Sequence, residues 1–195
     1  MLRRKFKDKD LLELLDKIIN SAPNESGIPI GSYLSQFLGN YYLCYFDHWL
    51  KEDKNMKYVV RYMDDVVIFN NSKEELHKLR VEMSSYLKNN LDLELKSNWQ
   101  IFPTEIRGVD FVGYRYFYDY ILLRKSTLKR FKKVMLFINN NNYINYSLWC
   151  SVNSYKGWLK WCNSYRLQEK YISSIQSLCD NFYYKEVKKK RGKLK

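Results

Sequence analysis

Between residues 58 and 69 the hydrophobic pattern of this chain changes from the period of a helix to that of a strand. Tyr58-Val59-Val60-Arg61-Tyr62 and Val66-Val67-Ile68-Phe69 are β-branched, aromatic runs separated by Met63-Asp64-Asp65. That pattern predicts a tight hairpin with both carboxylates at or beside its tip. Any fold open to the chain must place this hairpin among helices.

The flanking periods are helical. Leu11, Leu14, Leu15, Ile18 and Ile19 mark an amphipathic helix over 10–20, which breaks at Ser21-Ala22-Pro23-Asn24. A second helix over about 33–50 carries one stripe of Leu34, Phe37, Leu38, Tyr41 and Tyr45. After the hairpin, Ser72 and Glu75 read as a capping box for a helix to about Asn89, with Leu76, Leu79, Met83, Tyr86 and Leu87 on one face. Short strands are expected at 93–96, 99–102, 109–117 and 120–123. From Ser126 onward three helical patterns follow: Leu128, Phe131, Met135 and Ile138; then Leu148, Val152, Tyr155, Leu159 and Cys162; then Ile172, Ile175, Cys179 and Phe182. The fold class is α+β, an αβ unit followed by a basic helical module, with the boundary near 123–126.

Charge separates the same two parts. Of 195 residues, 34 are basic and 21 acidic, a net charge of +13. Residues 1–119 hold 17 basic and 18 acidic residues, whereas residues 120–195 hold 17 and 3. The basic part also contains 14 aromatic residues. It suits a polyanion such as nucleic acid, because cations displace phosphate counterions and aromatic faces stack on bases, although a solvated helical surface has the same composition. Cys44, Cys150, Cys162 and Cys179 lack CxxC spacing and read as reduced core thiols rather than zinc ligands or disulfides. No signal peptide and no membrane-length apolar run is present, so an intracellular, cytoplasmic protein without a membrane partner is expected.

Two adjacent aspartates at a strand turn repel one another. A solvated hairpin tolerates them, and a divalent cation gives them a use. Mg²⁺ takes hard oxygen ligands and commonly binds through one or two carboxylates plus substrate phosphates.

Tyr62-Met63-Asp64-Asp65 in a strand–turn–strand resembles the active-site hairpin of reverse transcriptases. Gly27-Ile28-Pro29-Ile30-Gly31-Ser32-Tyr33-Leu34-Ser35-Gln36, entering a helix with Asn40 and Leu43, resembles the family's glycine-containing loop against template and nucleotide. Leu93-Glu94-Leu95-Lys96 resembles the segment whose lysine approaches the triphosphate, and Phe111-Val112-Gly113-Tyr114 resembles the primer-grip turn. Ser154-Tyr155-Lys156-Gly157-Trp158-Leu159, followed by Asn163-Ser164-Tyr165, looks like the thumb of bacterial members. Ile30-Gly31 followed by Ser35-Gln36, in place of the usual Gln-Gly and Ser-Pro, resembles the diversity-generating retroelement branch; retron and group II intron relatives are the alternative.

The resemblance implies the C-terminal part of a right-hand polymerase palm over 1–123, a helical thumb over 124–184 and a basic tail over 185–195. It implies RNA-directed DNA synthesis by Mg²⁺-assisted attack of a DNA or RNA primer 3′-hydroxyl on a dNTP, copying an RNA template. A small basic accessory protein accompanies diversity-generating relatives. By family role, Asp64 and Asp65 are catalytic metal ligands and Lys96 neutralises or protonates the leaving pyrophosphate. Gly31, Ser35, Gln36, Tyr62 and Met63 lie toward nucleotide and template; Gly113, Tyr114, Lys156 and Trp158 lie toward the primer. The family's first catalytic aspartate precedes the first helix read here, and Asp8, Asp10 and Asp16 read as helix N-terminal acids instead. The expectation is an N-terminally truncated polymerase, weak or inactive alone. A non-catalytic nucleic-acid- or partner-binding fragment, or half of a split polymerase, is the other reading.

Overall fold

The computed structural model describes residues 1–21 and 32–188 of the chain. They belong to two compact units, Met1–Phe102 and Pro103–Lys195.

The first unit opens with a single turn, α1 (Leu2–Lys5), and α2 (Lys9–Asn20). Asp8 caps α2, its Oδ1 accepting from the Leu11 amide at 2.9 Å, and Asp16 pairs with Arg3. Asp8 and Asp10 thus serve the helix N-terminus, as expected, whereas Asp16 lies well inside α2 and meets Arg3 instead. α3 (Tyr33–His48) continues into a π-helical turn, Trp49–Asp53. Strands β1 (Tyr58–Tyr62) and β2 (Asp65–Phe69) pair antiparallel, from Tyr58 opposite Phe69 to Tyr62 opposite Asp65. α4 (Lys73–Leu91) follows.

The core of this unit is built from Phe46, Leu50, Leu79, Met83, Leu87 and Leu91. The four α4 residues recur every fourth position, which keeps them on one face. Val59, Val66 and Ile68 lay one side of the hairpin on that cluster, while Tyr58, Val60, Tyr62 and Phe69 face outward. One-sided packing fixes the register, because a slip by one residue would turn the buried set outward.

Several expectations need correction. The α3 stripe is only partly buried: Leu38 and Phe46 are inside, whereas Phe37 and Tyr45 are exposed. Ser72 does cap α4, accepting from the Glu75 amide at 3.2 Å, but its own amide goes to Asn70 Oδ1 and Glu75 takes the Asn70 amide group. The box is therefore half closed. Residues 93–96 and 99–102 form no strand; Leu93 and Leu95 alternate inward onto the core, yet no described segment pairs with them. A period of two reports extended backbone, and pairing needs a neighbour as well.

The second unit begins with a turn, α5 (Thr104–Arg107), and a three-stranded antiparallel sheet of β3 (Val109–Phe111), β4 (Tyr114–Tyr116) and β5 (Ile121–Leu123) in that order. The single strand expected over 109–117 is two, because Val112 (φ 45°) and Gly113 (φ 83°) reverse the chain. Positive φ at both central residues is the geometry of a two-residue hairpin loop. α6 (Lys125–Asn141) and α7 (Tyr146–Leu159) match the first two helical patterns. The third is interrupted: α8 (Tyr165–Leu167), a π turn, a 3₁₀ turn and α9 (Gln176–Phe182) succeed one another. Its apolar residues still point inward, and Leu123, Phe131, Met135, Ile138, Val152, Leu159, Ile172, Ile175 and Cys179 make one core. Leu123 and Tyr114 join this cluster, so the sheet is compact with the helices that follow it rather than with residues 1–102. All four cysteines are free, and Cys150 is exposed rather than in the core. No described helix is long and apolar enough to cross a membrane.

Candidate functional site

The hairpin tip is tighter than the sequence implied. Asp65 is the first residue of β2, opposite Tyr62, so the loop is Met63 and Asp64 alone. Met63 takes φ 55°, a left-handed backbone that side-chain-bearing residues rarely adopt. Its side chain turns back toward α3, where Sδ accepts from Asn40 Nδ2 at 3.6 Å. Tyr62 stands outward, 59% exposed, and both aspartates are exposed.

Among the described residues Asp64 has one cationic partner. Lys96 Nζ donates to Asp64 Oδ2 at 2.7 Å across 32 residues of sequence. The Lys96 hydrogen bond holds the Asp64 carboxyl below the usual carboxylate range, and Asp64 in turn raises the Lys96 ammonium above its ordinary value. The sign follows for each group. The Asp64 contribution to stability is present above the unfolded carboxylate value and fades as pH falls through the lowered one. The Lys96 contribution is present below the unfolded lysine value and fades as pH rises through the raised one. The pair is intact between those limits, and its side chains are about 70% exposed, so it is a weak, salt-screened tie. Replacing Lys96 by methionine is expected to move the Asp64 titration midpoint upward in a carboxyl ¹³C NMR titration; an unmoved midpoint contradicts the pairing.

Lys96 reaches Asp64 from a segment without strand hydrogen bonds. Leu93 and Leu95 anchor it on the core, the Leu93 amide donates to Leu87 O at 3.1 Å, and beyond it Trp99 lies against Arg80 at 4.6 Å.

On the packed face of the hairpin lies a residue that the sequence reading passed over. Arg61 holds Asp47 in a two-point ion pair and donates to Asn40 Oδ1 and to the Met63 carbonyl. Its hydrogen bonds to Asp47 keep the guanidinium still more firmly protonated. The one signal in the sequence was a charged residue on the inward side of an alternating strand.

Other predicted residues are placed as follows. Gly31 lies outside the described residues. Ser35 is half-buried with its hydroxyl oxygen enclosed and without a hydrogen-bond partner among the described residues, and Gln36 is exposed. In the second unit, Gly113, Tyr114 and Trp158 come together. The Tyr114 hydroxyl donates to Trp158 O at 3.0 Å, the two rings are 5.3 Å apart, and burial pushes the Tyr114 phenol up. Lys156 Nζ donates to Gln176 Oε1 at 2.8 Å. Asn163 exchanges two hydrogen bonds with Ile121, each 2.8 Å, and Ser164 donates to Leu159 O, so this pair joins β5 to the end of α7.

Residues 8–116 match the family model described as reverse transcriptase (RNA-dependent DNA polymerase). The chain belongs to the reverse transcriptase family. No curated protein matches it. The matched span contains the Asp64–Asp65 turn, Lys96 and the Gly113 turn, and it ends before α6, so Lys156 and Trp158 lie beyond it. Reverse transcriptases are RNA-directed DNA polymerases that act on a template, a primer and dNTPs, and they generally use Mg²⁺. Among the described residues, no three His, Cys, Asp or Glu side chains gather into a metal-binding group. Asp64 and Asp65 supply adjacent exposed hard oxygens, which fits the partial protein shell that Mg²⁺ takes beside substrate phosphates.

Proposed function

We propose that this chain is the palm-and-thumb part of an RNA-directed DNA polymerase of the bacterial, retroelement type, with Asp64 and Asp65 at its catalytic turn. The observation that carries the reading is the two-residue turn within the family span, which displays both carboxylates outward and brings Lys96 to Asp64. Ile30-Gly31 with Ser35-Gln36 supports the diversity-generating branch, and such enzymes work with a small basic accessory protein.

Asp64 and Asp65 would hold Mg²⁺, which when bound activates the primer 3′-hydroxyl and neutralises charge on the leaving pyrophosphate. The residues of the chain contribute binding, orientation and proton supply. Lys96 has a raised proton affinity and leaves Asp64 when substrate phosphates arrive, giving a mobile cation for the pyrophosphate oxygens. Tyr62 offers an exposed ring beside the carboxylates for the nucleotide side. Gly113 and Tyr114 shape the primer-facing turn, Trp158 packs on it from α7, and Lys156 on the same helix offers a cation for primer phosphates. The basic helical part, with net charge +14 over residues 120–195, binds duplex phosphates. With two carboxylates gathered, the chain by itself polymerises weakly or not at all.

The test is primer extension on an RNA template with Mg²⁺, by this chain and by a version carrying any coding sequence immediately upstream of Met1. Elongation in the extended version, lost in Asp64→Ala, is expected. An extended version that binds the RNA but is inert overturns the polymerase reading in favour of a nucleic-acid-binding one. Robust elongation by the 195-residue chain overturns the expectation of weak activity.

A further inference from the structure

The Arg61 side chain holds the backbone of the hairpin tip from behind. Arg61 Nε and Nη2 donate to the two oxygens of Asp47 at 2.7 and 2.5 Å, and Nη1 donates to Asn40 Oδ1 and to the Met63 carbonyl, each at 2.9 Å. Its side chain is 12% exposed. Asn40 and Asp47 are seven residues apart on α3, about two helical turns, and so share one face of that helix. The left-handed backbone at Met63 needs a compensating contact, and the carbonyl of that same residue accepts from Arg61. The Asp64 side chain is tied to Lys96 at an exposed position, a weak hold on its direction. The direction in which both carboxylates project is therefore set by the backbone of the turn.

We propose that Arg61 is the positioning residue of the carboxylate turn: gripped by Asp47 and Asn40, it fixes the Met63 carbonyl and with it the backbone that displays Asp64 and Asp65. For its catalytic consequence this rests on the polymerase reading. Lysine is no substitute, since a single ammonium lacks the planar fork that engages a carboxylate at two points and still reaches an amide and a carbonyl.

A double-mutant cycle between Arg61→Lys and Met63→Gly in the 195-residue chain tests it, read by amide hydrogen exchange. Arg61→Lys is expected to speed exchange at residues 62–66 by about 10-fold or more, with α4 unchanged. Adding Met63→Gly restores protection, because glycine adopts the left-handed turn unaided. Additive substitutions, or an unchanged tip in Arg61→Lys, overturn the proposal. If Arg61→Lys loosens the whole unit, Asp47→Asn decides, because it weakens the grip on Arg61 without touching Met63, which Asn40 contacts directly: selective loosening of 62–66 supports the proposal and no change there overturns it. Primer extension separates the two readings. A tip loosened by Arg61→Lys in an enzyme that never extends a primer retains the positioning role and rejects the polymerase. Full-rate extension by an Arg61→Lys enzyme with an ordered tip does the reverse.

Discussion

Gly113→Ala is expected to lower the thermal midpoint of the second unit by more than about 10 °C. Two causes add. The position has φ 83°, where a side chain costs about 1–2 kcal/mol. A Cβ there would also lie 2.3 Å from Trp158 Cζ3 and 2.5 Å from Cη2, far inside contact distance. The indole cannot simply lean away, because it packs against the Tyr114 ring while the backbone oxygen of Trp158 accepts from the Tyr114 hydroxyl. Displacing it loosens the join between the β3–β4 turn and α7, and the combined loss is about 3 kcal/mol or more. In a Trp158→Ala background the same substitution meets no ring and should cost only the backbone part, about 1–2 kcal/mol. Equal costs in the two backgrounds, measured by urea unfolding, would show that the indole does not occupy this position.

The second large effect concerns catalysis. In an enzyme version that extends a primer, Asp64→Ala is expected to lower the rate by about 10³-fold or more, because losing several kcal/mol of metal-mediated stabilisation multiplies the barrier term tenfold per 1.4 kcal/mol. Asp65→Ala should act in the same direction and less severely. Lys96→Ala should spare primer–template binding and slow incorporation, since its proposed role is at the dNTP phosphates beside Asp64. Comparable losses for all three, with weakened RNA binding, would point to a folding defect at the tip instead.

The hairpin was legible because two short β-branched, aromatic runs flank a polar turn, Met63-Asp64-Asp65. The first two helical patterns after residue 125 were legible from their period, and Phe131, Met135, Ile138, Val152 and Leu159 are core residues as their spacing requires, whereas the third is broken by a π turn and a 3₁₀ turn. What was not legible depended on contacts distant in sequence or on unusual backbone. Arg61 finds Asp47 and Asn40 at separations of 14 and 21 residues, and no local pattern announces either. Val112 occupies a left-handed position that Asn or Gly usually marks, so the hydrophobic pattern ran 109–117 together as one strand, although resemblance marked a turn at Phe111-Val112-Gly113-Tyr114. Leu93 and Leu95 alternate as strand residues do but have only a core to pack on. The aromatic stripe of α3 was over-read because tyrosine satisfies a hydrophobic period and remains half-exposed. Family resemblance pointed to Lys96 as a lysine for the triphosphate, and its ion pair with Asp64, 32 residues away, is a contact that no local pattern announced.

The central claim is that a divalent ion and the substrates meet at the Asp64–Asp65 turn. The most direct measurement is paramagnetic line broadening by Mn²⁺, added to the chain with an RNA template, an annealed primer lacking its 3′-hydroxyl and a matched dNTP. Broadening centred on residues 63–66, and lost in Asp64→Ala, is the result this account predicts. Nucleic-acid binding with no broadening at the turn, or broadening unchanged by Asp64→Ala, would contradict it.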